Sequence, residues 1–137
     1  MSDKQPECSG TADMTPGIIS WNELVSRDPD ASKTFYSQLF GWKAETMNMG
    51  PAGEYTMLKN GDRPAAGLIR IPAEAGPSPT MWMSYVTVPD LTAAVAKAKA
   101  LGAKICRDVT QLPMGRFAII NDPQVATLGL WEFTKPA

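Results

Sequence analysis

The chain contains no histidine among its 137 residues. Imidazole is the only side chain whose unperturbed pKa lies close to neutral pH, and it is the commonest metal ligand in proteins. Its absence excludes a histidine general base, a histidine-assisted nucleophile and any metal site that includes a histidine ligand.

Cysteine is also scarce, because only Cys8 and Cys106 are present. Two cysteines so far apart in sequence do not match the spacing of a metal or redox motif. Disulfides are rare in the cytosol. We therefore predict two free thiols, Cys8 in a polar tail and Cys106 in a strand.

Clusters of like charge and long apolar runs are missing too. The net charge is −1 and the basic residues are dispersed, which argues against nucleic acid or an anionic membrane as a partner. No apolar run is long enough to span a bilayer. The chain does not start with a basic stretch followed by an apolar one, as a signal peptide would. We predict a cytoplasmic protein that binds neither nucleic acid nor membrane.

What the chain does contain is an internal repeat with a period of 62 residues. Residues 18–25 have the composition of a strand, and Asp28-Pro29 then starts a helix. Residues 83–88 and Asp90-Leu91 repeat this order. The repeat extends without a gap to the last predicted strand and pairs Asp28 with Asp90, Leu39 with Leu101, Gly53 with Gly115, and Leu68 with Leu130. A fixed period with matching elements is typical of a duplicated structural unit.

Each half of the repeat is predicted to fold as βαβββ. Asp28 and Asp90 suit the N-caps of the two helices, and Gly41 and Gly102 suit their ends. Periodicity predicts an apolar face on each helix. The face of the first helix consists of Ala31, Phe35 and Leu39, with Tyr36 and Phe40 beside them; the inward residues of the second are Leu91, Ala94, Val95, Ala98 and Leu101.

The predicted organisation is a flexible N-terminal tail at residues 1–16 and a single domain at 17–133. Within that domain, module one covers 17–71 and module two covers 81–133. The linker at 72–80 contains three prolines and a glycine. The predicted fold class is α+β: two tandem βαβββ modules that form a curled mixed sheet with the helices on the outside.

Four stretches carry a resemblance to a known family. They are residues 28–42 (Asp-Pro-Asp-Ala-Ser-Lys-Thr-Phe-Tyr-Ser-Gln-Leu-Phe-Gly-Trp), 90–95 at the second helix start, 100–103, and Asp122-Pro123 before the last strand. With its paired βαβββ units, the chain resembles the vicinal oxygen chelate superfamily over residues 17–133. That superfamily includes glyoxalase I, extradiol dioxygenases, fosfomycin resistance enzymes and bleomycin-binding proteins. The resemblance implies a glyoxalase-like cup.

In enzymes of this superfamily four side chains, from the first and last strands of each module, bind a divalent metal. These positions fall here on Trp21, Gly67, Met83 and Gly129. Indole is no ligand, glycine has no side chain, and a thioether is too soft for such a metal. A register shift of two would introduce acids without gathering three ligands; the acids are Glu23, Glu54 and Glu132. We predict no metal and no other cofactor.

If those four positions mark the concave face, strand alternation predicts its lining. The predicted ligand-binding residues are Trp21, Glu23, Met83, Tyr85, Gly129 and Trp131. Aromatic and sulfur side chains around one acid suit a flat or cationic organic molecule. Gly67 and Gly129 are expected to leave space for it. The alternative is that the rings only fill a core.

Glu23 is the predicted catalytic residue. A desolvated carboxyl has a raised pKa and can act as a general base. The alternative is that Glu23 pairs with Arg63 or Arg70.

Three functions stay open at this point. The first is a metal-independent protein, similar to bleomycin resistance proteins, that binds a small apolar or aromatic molecule. The second is a metal-dependent lyase or dioxygenase of the glyoxalase type. The third is a metal-free enzyme with Glu23 as general base. A homodimer is expected in each case, because chains of this size that resemble the family commonly pair and the sheet edges need covering.

Overall fold

The computed structural model describes residues 15–71 and 78–134. The predicted tail up to residue 14, with Cys8, and residues 72–77 of the predicted linker lie outside the described residues. Over the described chain the elements are β1 (Ile19–Ser26), α1 (Pro29–Phe40), β2 (Lys43–Asn48), β3 (Glu54–Asn60), β4 (Arg63–Arg70), β5 (Met81–Thr87), α2 (Leu91–Ala100), β6 (Lys104–Leu112), β7 (Gly115–Asn121) and β8 (Thr127–Phe133), with a 3₁₀ turn at Gly50–Ala52.

The described residues divide into two compact units. The first unit contains residues 22–71 and 78–82, and the second contains 15–21 and 83–134. The first has the strand order β2-β3-β4-β1 and the second has β5-β8-β7-β6. In each unit the first strand runs parallel to the last, and the other pairs are antiparallel. The predicted α+β class with two βαβββ modules and mixed strand pairing is confirmed.

The repeat holds down to the register of the strands. Glu23 lies opposite Gly67 in the first unit, and Tyr85 lies opposite Gly129 in the second. Both residues of the second pair follow those of the first by 62 positions. The duplication predicted from sequence therefore describes the hydrogen-bonded ladder and not only the order of elements.

Both helix starts are capped as predicted. The carboxylate of Asp28 accepts a hydrogen bond from the amide of Ala31 at 3.2 Å, and that of Asp90 accepts one from Ala93 at 3.1 Å. Each bond satisfies an amide that has no partner within its helix. Gly41 ends α1 in the left-handed region at φ 77°, where a residue with a Cβ would be strained.

The core of the second unit lies between α2 and one face of its strands. Leu91 and Val95 pack against Ala118, Ile120 and Leu130, all of them buried. The prediction that Leu101 also faces inward was wrong, because its side chain is 69% exposed. It is the C-cap residue, and the chain leaves the helix there before another turn can carry the side chain back to the sheet.

The core of the first unit lies under α1 but contains no fully buried residue of that helix. Leu24, Leu58, Ala66 and Leu68 form the buried cluster, and the half-buried Tyr36 and Trp42 pack against it. The periodicity predicted an apolar face on α1, yet Phe35, Leu39 and Phe40 are each more than half exposed.

Among the described helices, none has both the length and the apolar composition needed to cross a lipid bilayer.

Candidate functional site

One face of the second unit's sheet is turned away from α2. Along β7, Ala118 and Ile120 belong to the core beneath α2. Successive side chains of a strand point to opposite faces, so Phe117 and Ile119 point to the other side. Phe117 lies opposite Trp131 in the register, and Ile119 lies opposite Gly129. This face carries four of the predicted site residues, namely Met83, Tyr85, Gly129 and Trp131.

Tyr85 lies flat over Gly129. A Cβ placed on Gly129 would overlap the aromatic ring of Tyr85, so glycine is required there by the ring. The expectation that Gly129 leaves space for a ligand was therefore wrong, because the ring already fills that space. Tyr85 is 5% exposed and its ring contacts Phe117 edge to face, with the centroids 6.4 Å apart.

Trp131 is held by a second glycine in the same way. A Cβ on Gly115 would lie 2.7 Å from Cζ2 of Trp131 and would also overlap the backbone of β8. The indole contacts Phe133 at 5.6 Å between centroids, in a T-shaped arrangement. Trp131, Phe117 and Phe133 are half-buried. These three rings and Tyr85 are called the aromatic face below.

Arg107 of strand β6 lies beside the aromatic face. Its guanidinium carbon lies 5.5 Å from the centre of the Phe117 ring, and its Nε donates to the hydroxyl of Thr110 at 3.4 Å. The register of β6 against β7 shifts on both sides of Arg107. Sequence reasoning missed Arg107 because alternation cannot be followed through two register shifts. Phe117 and Phe133 were missed although their parity matched Gly115 and Trp131.

Trp21 lies near the start of β1. The strand is divided between the units: its residues up to Trp21 belong to the second unit, and those from Asn22 onwards belong to the first. The hydroxyl of Thr87 donates to that of Ser20 at 2.7 Å, and the amide of Gly17 donates to the carbonyl of Thr87 at 2.8 Å. These bonds hold the segment that carries the half-buried Trp21 against the end of β5. Met83, on the same strand as Tyr85, is 4% exposed.

Glu23 lies in the first unit, whereas the other five predicted site residues lie in the second. It is 5% exposed and directly opposite Gly67 on β4. Met57 of β3 is the other neighbour of Gly67 in the register. Glu23 is therefore a buried acid on the face of the first unit's sheet that is turned away from Leu24 and Leu68.

The residues present do not fit the divalent metal that the resemblance implies for family enzymes. Within the described chain, no three histidine, cysteine, aspartate or glutamate side chains are grouped as a metal site requires. Glu132, which a shifted register would have offered as a ligand, serves another purpose. Its Oε1 accepts from the amide of Leu91 at 2.7 Å and from Arg116 at 2.6 Å.

Residues 18–128 match the sequence profile of the Glyoxalase/Bleomycin resistance protein/Dioxygenase superfamily. The chain belongs to this superfamily, and the predicted resemblance is confirmed.

Curated relatives come from two groups of bacteria. CFP32 of Mycobacterium tuberculosis, named as a candidate glyoxylase, is 34% identical over 122 residues, which are 88% of this chain and 45% of CFP32. The anthracycline biosynthesis protein DnrV of Streptomyces peucetius is 30% identical over 130 residues, 85% of this chain and 47% of DnrV. The chain thus spans about half the length of the curated relatives it matches.

Solved structures with low sequence identity share the fold. Protein BH1468 of Bacillus halodurans has a TM-score of 0.61 at 13% identity, with 90% of this chain and 99% of that one covered. A methylmalonyl-CoA epimerase variant of Streptomyces coelicolor, in complex with 2-nitronate-propionyl-CoA, gives 0.59 at 18% identity, with 88% and 100% covered. At this identity the likeness concerns the fold alone.

Proposed function

We propose that the chain is a metal-independent member of the superfamily that binds a small apolar or aromatic molecule on the aromatic face. The observation that carries this proposal is the continuity of the rings of Tyr85, Phe117, Trp131 and Phe133 on one side of the second unit's sheet. Three of the four rings keep part of their surface exposed, so they can contact a ligand.

The rings of the aromatic face are packed before any ligand arrives. Tyr85 occupies the space beside Gly129 and contacts Phe117. Trp131 lies beside Gly115 and contacts Phe133. Rings that are already ordered lose little side-chain entropy on binding, which improves affinity for a flat partner. Offset or edge-to-face contacts between aromatic rings add about 0.5–1.5 kcal/mol beyond the area they bury.

A relative's name supports the choice of ligand class. DnrV is named for anthracycline biosynthesis, and anthracyclines are flat, fused-ring aromatic compounds. A set of packed rings that keeps part of its surface exposed is suited to the same type of molecule.

A metal-free enzyme remains the second proposal, because Glu23 is an acid that is almost completely buried. A general base must reach the proton that it removes. Under this proposal Glu23→Gln abolishes turnover of the substrate and leaves the affinity for that substrate unchanged within about twofold. Loss of affinity together with turnover would instead assign Glu23 to binding.

The first proposal is tested by titrating naphthylmethanol, a neutral fused-ring probe, into the protein in a calorimeter. Trp131→Leu should weaken binding about tenfold, equivalent to ~1.4 kcal/mol, because it removes one ring of the aromatic face. Trp82→Leu is the matched control: Trp82 is 41% exposed and lies in the first unit. Equal weakening by both substitutions, or by neither, would contradict the proposal.

A further inference from the structure

Arg107 differs from the other charged side chains of the second unit's strands. It is half-buried and lies over Phe117, and its one hydrogen bond among the described residues runs from Nε to Thr110. No carboxylate of residues 15–71 or 78–134 lies within ion-pair distance of it. Its two terminal NH₂ groups are therefore available to a further acceptor.

Two other charged side chains on the strands of this fold do form ion pairs. Glu45 precedes Arg107 by one repeat of 62 residues, and it forms an ion pair with Lys59 at 3.7 Å. Arg116, on the neighbouring strand β7, is paired with Glu132 at 2.6 Å. Arg107 is thus a half-buried guanidinium with no carboxylate of the described chain within ion-pair distance.

The way in which Arg107 is held favours an anion. The guanidinium lies over the ring of Phe117, and this contact uses none of its N–H donors. The bond to Thr110 uses only Nε. The remaining fork of donors matches the two oxygens of a carboxylate, which it can bind with two parallel hydrogen bonds.

We propose that Arg107 binds a carboxylate of the ligand whose rings lie on the aromatic face, so that the ligand class is an aromatic acid. This inference rests on the proposed function and narrows it. The broader expectation of a flat or cationic molecule is restricted accordingly, because a cation beside Arg107 would be repelled.

The test uses three probes that share one ring system and differ in charge: naphthoate, naphthylmethanol and naphthylmethylammonium. Each is titrated calorimetrically into the full-length protein. Naphthoate should bind at least about tenfold more tightly than the alcohol, as expected for hydrogen bonds to a charged group, and the ammonium compound should bind most weakly.

Arg107→Gln should remove the preference for the acid and leave the affinity for the alcohol within about twofold, because only the charge and the fork are lost. Arg63→Gln, an exposed arginine at the start of β4 in the first unit, should leave all three affinities unchanged. Arg107→Lys keeps the charge without the planar fork and should retain an intermediate preference. If Arg107→Gln does not fold, Arg107→Lys is measured instead. The preference of Arg107→Lys for naphthoate over the alcohol should decline with added salt.

The outcomes separate the two proposals. If the alcohol binds and Arg107→Gln keeps the full preference for naphthoate, or if no preference exists, the inference about Arg107 is overturned while the aromatic face stands. Where Arg107→Gln does not fold, Arg107→Lys is used instead. The inference about Arg107 is then overturned if this variant keeps the wild-type preference for naphthoate over the alcohol and added salt does not change that preference. If none of the three probes binds, both proposals fail.

Discussion

At the scale of single residues, glycines determine the shape of the aromatic face. Gly129 and Gly115 are required because Tyr85 and Trp131 occupy the positions where a Cβ would be. A sequence shows a glycine but not the ring that covers it. The sequence therefore predicted a site residue at Gly129 but could not show that the ring of Tyr85 fills the space beside it.

The contact between Gly129 and Tyr85 predicts a strong coupling between the two residues. Gly129→Ala should lower the free energy of unfolding by about 1–3 kcal/mol, because overpacking forces the ring away from its position. In the background of Tyr85→Ala the same substitution should have a much smaller effect, because the ring that the new Cβ would meet is gone. Residues in contact commonly show such a coupling, of about 0.5–3 kcal/mol. Urea unfolding of the four proteins measures the coupling; additive effects would show that the ring does not lie on the glycine.

The backbone of Val125 has a conformation that its side chain does not favour. It has φ 69°, in the left-handed region that a β-branched residue rarely adopts. The turn imposes this conformation: Val125 donates to the carbonyl of Asp122, and the Asp122 carboxylate accepts from the amides of Gln124 and Ala126.

Val125→Gly should therefore stabilise the protein by about 1 kcal/mol, the approximate penalty of the left-handed conformation for a residue with a Cβ. Its side chain is 71% exposed, so little packing is lost. Val125→Ala is the control and should recover only a small part of the gain because it keeps the Cβ. Thermal unfolding is the measurement, and a lower melting temperature for Val125→Gly would contradict the assignment of strain.

At the scale of elements, α2 is attached to the sheet by Glu132 of β8. The carboxylate bonds to the amide of Leu91, in the first turn of α2, and to Arg116 of β7. The N-cap Asp90 could be recognised from sequence because capping is local. The contribution of Glu132 could not, because it lies 41 residues after Leu91 and depends on how the strands are ordered.

Glu132→Ala should lower the free energy of unfolding by about 2 kcal/mol, since hydrogen bonds to a charged, largely buried group contribute about 1.5–3 kcal/mol. The control is Glu45→Ala, which removes an ion pair whose glutamate side chain is 63% exposed and should change stability by less than about 1 kcal/mol. Chemical denaturation compares them. Equal effects of the two substitutions would show that Glu132 does not secure α2.

The features of the helices and strands differ in how well they could be predicted from the sequence. The caps, the left-handed Gly41 and the order of elements along both units follow from local signals and from the repeat. Exposure of α1 does not follow, because a helical pattern of apolar residues cannot show whether the surface they form is covered by the same chain. Arg107 was hidden for a different reason, namely the register shifts in β6.

At the scale of the whole molecule, an exposed apolar surface on α1 bears on the oligomeric state. Phe35, Leu39 and Phe40 are each more than half exposed, and Trp82, which donates to the hydroxyl of Tyr36, is 41% exposed. Contiguous exposed apolar surface commonly marks an interaction site.

We predict a homodimer that uses this surface. Light scattering at micromolar concentration should give twice the 14.8 kDa mass of one chain. Leu39→Asp should shift the protein to the monomer, because the dimer would then have to bury a charge in an apolar interface. Leu101→Asp, at an exposed leucine on α2, should leave the dimer intact. A wild-type protein that is monomeric at this concentration would refute the prediction.

Binding without a metal is the central claim, and one titration tests it most directly. Naphthylmethanol is titrated into protein purified without added metal, before and after treatment with a chelator, and the metal content of both samples is determined. The account predicts the same affinity in both samples, because the aromatic face is built from side chains alone. A stoichiometric divalent metal whose removal abolishes binding, and whose return restores it, would contradict the account.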